Sequence, residues 1–114
     1  MVNAVYSEQS TEEQTSGPLT PPATPGLDAL LAERGKEYGK FIDHARVTQN
    51  LKASLEGHLC AKGTALFPDQ KEALDMICHK IGRIVNGNPN NIDSWDDIAG
   101  YAKLVADRLR GTSR

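Results

Sequence analysis

Apolar side chains recur at every third or fourth position in this chain, and that spacing restricts the fold more than any other feature. The longest series is Leu74, Ile77, Cys78, Ile81, Ile84 and Val85. With about 3.6 residues per helical turn, these side chains share one face of a helix. No run of alternating β-branched residues is long enough to indicate a strand. The sequence therefore predicts an all-α fold, a small helical bundle.

Four helices are expected, spanning approximately residues 27–35, 41–59, 69–86 and 93–110. Asp69 with Glu72 three residues later is typical of a capping box at the start of the third helix. Gly87 predicts a left-handed residue at the end of that helix, since Pro89 forbids its continuation. Asp93 or Ser94 is the expected N-cap of the fourth helix.

Residues 1–26 differ from the rest of the chain in composition. They are rich in Pro, Ser and Thr, carry Glu8, Glu12 and Glu13, and contain no Lys or Arg. Such a segment has too little apolar surface to offset the conformational entropy that it would lose on folding. We expect an acidic, disordered tail at residues 1–26 and a single α-helical domain at residues 27–114, with no secretory or transit sequence.

The charge of the expected domain is nearly balanced. It holds all 13 Lys and Arg residues, against the 15 Asp and Glu residues of the chain less the three tail glutamates. This balance argues against a nucleic-acid partner and a membrane partner. Cys60 and Cys78 have no Cys-x-x-Cys spacing and are expected to be reduced thiols of a cytoplasmic protein. Because a domain this small buries a limited share of its surface, a homo-oligomer is expected.

Cationic and aromatic side chains suggest a site for an anion. Arg34, Lys36 and Lys40 precede the second helix, where backbone N–H groups and cations suit a phosphate, although an interhelical turn with solvated cations explains them at least as well. Lys80 and Arg83 lie away from the apolar stripe of the third helix, and a guanidinium can form a fork with phosphate oxygens. Tyr38 and Tyr101 are candidates to stack on a base.

The segment NIDSWDDIAGYAKLV combines an acidic start with a glycine and a tyrosine. Its aspartates complement the helix dipole in a first turn, and Trp95 is assigned to the core. Asp97, Gly100, Tyr101 and Leu104 share another side of the helix. A glycine inside a helix costs roughly 1 kcal/mol relative to alanine, which close approach of a second subunit or a ligand would offset. We therefore expect Gly100, Tyr101 and Leu104 at an interface.

Three motifs of the chain resemble a group of small phage and prophage proteins of unknown function. The pattern of that group has an Arg-x-x-x-Tyr-Gly start, a Lys-x-x-Arg helix and an Asp-x-Trp-x-Asp-Ile-Ala-Gly-Tyr helix. Here these motifs begin at Arg34, Lys80 and Asp93, and the resemblance covers most of residues 30–106. It implies a helical fold, a phage or prophage origin and a place in the host cytoplasm, but no activity.

A looser resemblance is to the all-α nucleotide pyrophosphohydrolases of the MazG type. That family carries Glu-Glu-x-x-Glu on one helix and Glu-x-x-Asp on the next, so that carboxylates converge on magnesium ions bound to a triphosphate. Here the candidates are Glu72 and Asp75 on one helix and Asp93 and Asp97 on the next, whereas residues 27–114 contain no Glu-Glu-x-x-Glu motif. Magnesium is implied only by this resemblance, and no other cofactor or catalytic residue is predicted.

The leading hypothesis is a phage or prophage accessory protein, a helical homo-oligomer that binds a phosphorylated, nucleotide-like molecule. Its predicted ligand-binding residues are Arg34, Lys36, Tyr38, Lys80, Arg83, Asp97 and Tyr101. One alternative is a magnesium-dependent nucleotide pyrophosphohydrolase. Another is a host-takeover or anti-defence protein that acts through a protein–protein interface centred on Tyr101 and Leu104.

Overall fold

The computed structural model of the protein describes residues 25–112 and 114. They form four helices: α1, Pro25–Tyr38; α2, Phe41–Lys62; α3, Pro68–Asn86; and α4, Ile92–Leu109. These described residues contain no strand, so the predicted all-α fold is confirmed. None of the described helices is long and apolar enough to cross a membrane.

The chain divides into two units between Leu30 and Leu31, inside α1, and every contact given below lies within residues 31–114. The predicted disorder of residues 1–26 falls almost entirely outside the described residues. The first helix begins at Pro25, two residues before its predicted start.

The central helix of residues 31–114 is α3, which packs against α2 on one side and α4 on the other. Lys71 near the start of α3 pairs with Glu56 near the end of α2, at 3.1 Å, so the two helices are antiparallel. Gly82 allows them to approach closely, because a Cβ at this position would lie 2.5 Å from Thr48 Oγ1 and 3.0 Å from the His44 ring.

Two ion pairs fix the position of α4 along α3. Arg108 near the end of α4 holds Asp69 at the start of α3 in a bidentate pair, with N–O distances of 2.6 and 2.7 Å. Farther along, Lys80 Nζ lies 2.9 Å from the Asp97 carboxylate. The two helices are therefore antiparallel, and α2, α3 and α4 form one layer.

The first two helices run beyond their predicted ends. The first continues through Gly35 to Tyr38, and the second passes Leu59 and ends at Lys62. Gly63 then takes a left-handed conformation with φ of 69°, a common way for a helix to end.

The predicted capping box of Asp69 and Glu72 is wrong, because α3 begins one residue earlier. Phe67 occupies the N-cap position, and its backbone N–H donates to Gln70 Oε1 at 2.9 Å. Pro68 is the first helical residue, where its missing N–H leaves nothing to satisfy.

The predicted N-cap of α4 and the predicted left-handed conformation of Gly87 are also wrong. The N-cap of α4 is Asn91, whose side chain accepts the N–H of Asp93 at 3.0 Å, in place of Asp93 or Ser94. Gly87 is not left-handed, since its φ is −130°. Gly87 instead has no room for a side chain, because the end of α1 lies close to it.

Few apolar residues of the range 31–114 are buried: Ala73, Cys78 and Ile84. The assignment of Trp95 to the core is wrong, because this side chain is 53% exposed and its Nε1–H donates to the Pro89 carbonyl at 2.8 Å. The ion pairs between α3 and α4 explain this result, since they turn another side of α4 toward α3 and leave the Trp95 side outward.

Candidate functional site

A cleft of about 550 Å³ opens between the end of α1, the start of α2 and the second half of α3. We call it the α1–α3 cleft. Its volume is within the range of roughly 300–1,000 Å³ that is usual for small-molecule sites. The lining combines three cations, Arg34, Lys40 and Arg83, with the rings of Tyr38, Phe41, His44 and His79.

The turn between α1 and α2 depends on Gly39, which has a φ of 77°. Left-handed backbone is rarely adopted by other residues. A Cβ at Gly39 would also collide with the Asn86 carbonyl oxygen at the end of α3. The Asn86 side chain bridges the same turn, because its Nδ2 donates to the carbonyls of Tyr38 at 2.9 Å and Lys40 at 3.1 Å.

The end of α1 is also fastened to the α3–α4 connection. The Asn88 N–H donates to the Glu37 carbonyl at 2.6 Å. Glu37 Oε2 accepts from Asn91 Nδ2 at 2.9 Å and from Asn88 Nδ2 at 3.2 Å. Gly87 makes this approach possible, since a Cβ there would collide with the Glu37 carbonyl oxygen and the Tyr38 backbone. These contacts fix the α1 wall of the cleft against α3.

The Arg83 guanidinium lies over the Tyr38 ring, with its Cζ 4.2 Å from the ring centroid. This cation–π contact holds the guanidinium at the cleft while leaving its N–H donors available to a ligand. Among the residues that the structure describes, no carboxylate lines the cleft. Within the described part of the chain, no ion pair involves Arg34, Lys40 or Arg83. The cleft therefore has an uncompensated positive potential that favours an anion.

Two histidines form the floor of the cleft. His44 Nε2 and His79 Nδ1 are 3.2 Å apart, and the rings meet edge to face. Burial, with the charges of His44 and Arg83, lowers the pKa of His79 to about 4. Burial and the Arg83 charge also lower the pKa of His44. Both rings are thus neutral at pH 7 and can offer an N–H to a ligand without adding charge.

The structure brings together three of the residues predicted to bind a ligand: Arg34, Tyr38 and Arg83 all line the α1–α3 cleft. Lys36 is exposed on α1 and is not part of the lining. Lys80 is only 9% exposed and pairs with Asp97, so it lies outside the cleft as well.

Asp97 and Tyr101 lie in a different place, with the residues predicted to form an interface. Together with Gly100 and Leu104 they line a shallower depression of about 440 Å³ on α4. Nothing lies within 4 Å of a Cβ built at Gly100, so no described part of the chain uses its missing side chain.

The carboxylates of the hydrolase alternative are not gathered at one point. Asp75 pairs with Lys71 at 2.9 Å and Asp97 pairs with Lys80, while Glu72 and Asp93 are exposed. Among the described residues, no group of three His, Cys, Asp or Glu side chains is placed to hold a metal ion.

The sequence did not identify His44 or Phe41 as parts of the site, nor the hydrogen bonds that Glu37 accepts from the α3–α4 connection. His44 and His79 are 35 positions apart, and no spacing rule joins them. The available signal was a histidine inside the apolar stripe of the second helix, beside Phe41, where a polar ring needs a partner.

A comparison with protein families finds one match, to the family described as "Domain of unknown function (DUF6378)", over residues 27–109. The chain belongs to this family, which confirms the expected membership in a family of unknown function. Neither the curated proteins nor the solved structures compared with the chain contain a significant match. The match includes every residue of the α1–α3 cleft.

Proposed function

We propose that this member of the DUF6378 family binds a phosphorylated, nucleotide-like small molecule in the α1–α3 cleft. The observation that carries the proposal is the charge of the lining: three cations surround the cleft, and its described lining residues include no carboxylate. A site built for a neutral or cationic ligand would have no use for three uncompensated positive charges, whereas a phosphate offers several acceptor oxygens to them.

Each group of the lining has a part in this binding. The guanidinium groups of Arg34 and Arg83 and the Lys40 ammonium bind phosphate oxygens, with the N–H of a neutral histidine as a further donor. Phe41 is 78% exposed, which is high for a phenylalanine, and offers a flat apolar surface to a base. Tyr38 contributes through Arg83, which it positions by the ring contact. Lys36, Lys80, Asp97 and Tyr101 are not part of this proposed site.

The proposal for the biological origin and location of the protein rests on the sequence motifs alone. We propose a phage or prophage accessory protein of the host cytoplasm, as the motif at Asp93–Tyr101 implies. The scattered carboxylates give the hydrolase alternative no support, and the anti-defence alternative has no contact in its favour beyond the open depression on α4.

A thermal-shift screen tests the binding proposal. The full-length protein is heated with nucleoside triphosphates, cyclic nucleotides and inorganic pyrophosphate, each with EDTA or with magnesium. A ligand at 100 times its Kd adds about 2.7 kcal/mol to the apparent stability. We expect at least one nucleotide to raise the melting temperature in EDTA, by an amount that falls with added salt. No shift with any compound contradicts the proposal, and pyrophosphate release in magnesium would instead support the hydrolase.

A matched pair of variants locates the site. Arg34 and Lys36 are cations on the same helix, but only Arg34 lines the cleft. We expect Arg34→Ala and Arg83→Ala to abolish most of the shift, and Lys36→Ala to retain it. Equal shifts in all three variants would place the ligand elsewhere.

A further inference from the structure

Helix α4 carries an apolar stripe that is largely exposed in the described chain. Its members are spaced three and four residues apart in strict alternation: Ile92, Trp95, Ala99, Ala102, Ala106 and Leu109. We call it the α4 seam. The large side chains at its two ends are 53–69% exposed. This alternating spacing is that of a helix that packs lengthwise against another helix.

Helix α3 has an uncovered apolar side of its own. Leu74 and Val85 are 38% and 63% exposed, and Ile77 and Ile81 between them are partly exposed. On each helix these residues lie roughly a quarter of a turn away from the side that meets the other helix. Because α3 and α4 are antiparallel, both quarter turns lead to the same side of the layer. The two stripes therefore form one face, opposite the side of α3 that carries His79 and Arg83.

This face is symmetric about a single level. The pairs Asp69–Arg108 and Lys80–Asp97 have the same offset between α3 and α4, and that offset puts Ile77 level with Gly100. The midpoint of the α4 seam falls beside Gly100. The midpoint of Leu74, Ile77 and Ile81 falls beside Ile77, while Val85 extends this stripe by one more turn toward the end of α3. Apart from Val85, the apolar residues of the two helices are centred on the same level, as a self-complementary surface requires.

We propose that a second copy of this chain packs on this face through a two-fold axis that crosses the helices at the level of Ile77 and Gly100. The axis sets α4 antiparallel to α4 of the second copy, and α3 likewise to its counterpart. Large side chains on the seam then meet small or terminal ones. The facing pairs are Ile92 with Leu109, Trp95 with Ala106, and Ala99 with Ala102, each twice.

The charges beside the seam favour the same orientation. Asp96 and Lys103 flank it on one edge, and both are exposed. In the antiparallel arrangement Asp96 of one chain lies near Lys103 of the second copy, and the pair occurs twice. A parallel arrangement would instead bring Trp95 against Trp95 and separate these charges. Charges at the edge of a helix pair contribute little stability but select the orientation.

The size of the face is adequate for a stable dimer. Helices of 18 and 19 residues are each about 27 Å long, and neighbouring axes lie about 8–10 Å apart, so the face measures roughly 27 by 20 Å. This is about 540 Å² for each partner, so two copies together bury roughly 1,000 Å², the lower end of the range for a specific interface.

Light scattering on matched variants tests the proposal. Ala102 and Leu104 are both exposed on α4, but Ala102 is on the seam and Leu104 is on the opposite side. We expect the full-length protein to have twice the 12.4 kDa mass of one chain. Ala102→Arg should halve the mass without loss of helical circular dichroism, because the position is exposed within one chain. Leu104→Arg should keep the dimer mass. A monomeric wild-type protein, or a dimer that only Leu104→Arg dissociates, overturns the proposal.

Cysteine cross-linking tests the orientation. In a Cys60→Ser background, which removes the exposed native thiol, Ile92→Cys and Leu109→Cys chains are mixed and oxidised. The two positions are about 25 Å apart along one helix. We expect disulfide-linked dimers in the mixture and few in either variant alone. Cross-linking of each variant with itself, and not of the mixture, would overturn the antiparallel arrangement.

Discussion

Replacing Gly87 with alanine is the sharpest test of how the site is assembled. The added Cβ would lie 2.6 Å from the Tyr38 carbonyl carbon and still closer to two other backbone atoms, whereas ordinary contacts begin at 3.4 Å. Because these neighbours are backbone, they cannot rotate away, and the end of α1 must move from α3 by about 1 Å or more. Overpacking of this kind costs about 1–3 kcal/mol. Strain on the Asn88–Glu37 hydrogen bond adds about 1 kcal/mol, so we expect a loss of about 2–4 kcal/mol.

The assay is urea denaturation followed by circular dichroism, with Gly57→Ala as the control. Gly57 lies inside α2 with nothing within 4 Å of its built Cβ, so alanine there should stabilise the protein by roughly 0.5–1 kcal/mol. The same substitution thus has opposite signs at two positions. If Gly87→Ala is as stable as the wild type, the close approach of α1 to α3 is refuted, together with the cleft wall that depends on it.

Three further predictions follow from the contacts of α3. Between pH 6.5 and about 4 the unfolded chain binds a proton at His79 that the folded chain excludes, so stability should fall by up to about 3 kcal/mol as the pH is lowered. Urea midpoints at pH 7 and 4.5 should show a smaller fall in His79→Gln; an equal fall contradicts the assignment. Asp97→Asn should lower stability by about 1–3 kcal/mol, more than Lys80→Met does. In Asp97→Asn the Lys80 side chain, which is 11% exposed, loses its partner, whereas in Lys80→Met the Asp97 side chain, which is 47% exposed, remains hydrated. The reverse order in urea melts would refute this. Asn86→Ala should cost about 2 kcal/mol, since it removes two hydrogen bonds from the α1–α2 turn, and unchanged stability would show that the turn stands without them.

The sequence was sufficient to predict the helices but not which side of each helix is covered. The spacing of apolar residues and the glycines and prolines at helix ends are local properties of a sequence. α2 and α3 could therefore be located from their leucines, their glycines and Pro68. The side of α4 that meets α3 is decided by Lys80–Asp97 and Arg108–Asp69, which join residues distant in sequence. An apolar stripe in a sequence indicates a surface to be covered, but it does not show which part of the protein covers it; Trp95 lies on such a stripe and is 53% exposed.

Only part of the candidate site could be predicted, because a sequence reveals local signals and not contacts between distant residues. Arg34 and Tyr38 were identified as a cation and an aromatic ring just before a helix start, and Arg83 as a cation away from an apolar stripe; both are local signals. Lys80 gave the same signal as Arg83, yet burial beside Asp97 excludes it from the cleft. The positions of Gly39 and Gly87 depend on close approach to another helix, which a single sequence does not reveal.

The two sides of α3 would serve the two proposals separately, one side the proposed ligand site and the other the proposed contact with a second copy. One side presents His79 and Arg83 to the cleft, and polar groups there cannot contribute to an apolar core. The other side presents Ile77 and Ile81 to the proposed second copy, so the missing burial is supplied between chains. If both proposals hold, binding and assembly are separable. Ala102→Arg should then bind nucleotide as a less stable monomer, and Arg34→Ala should remain a dimer that no longer binds. A monomeric variant that loses binding entirely would show that the cleft needs the second copy. Binding on one side of α3 would then depend on assembly on the other side.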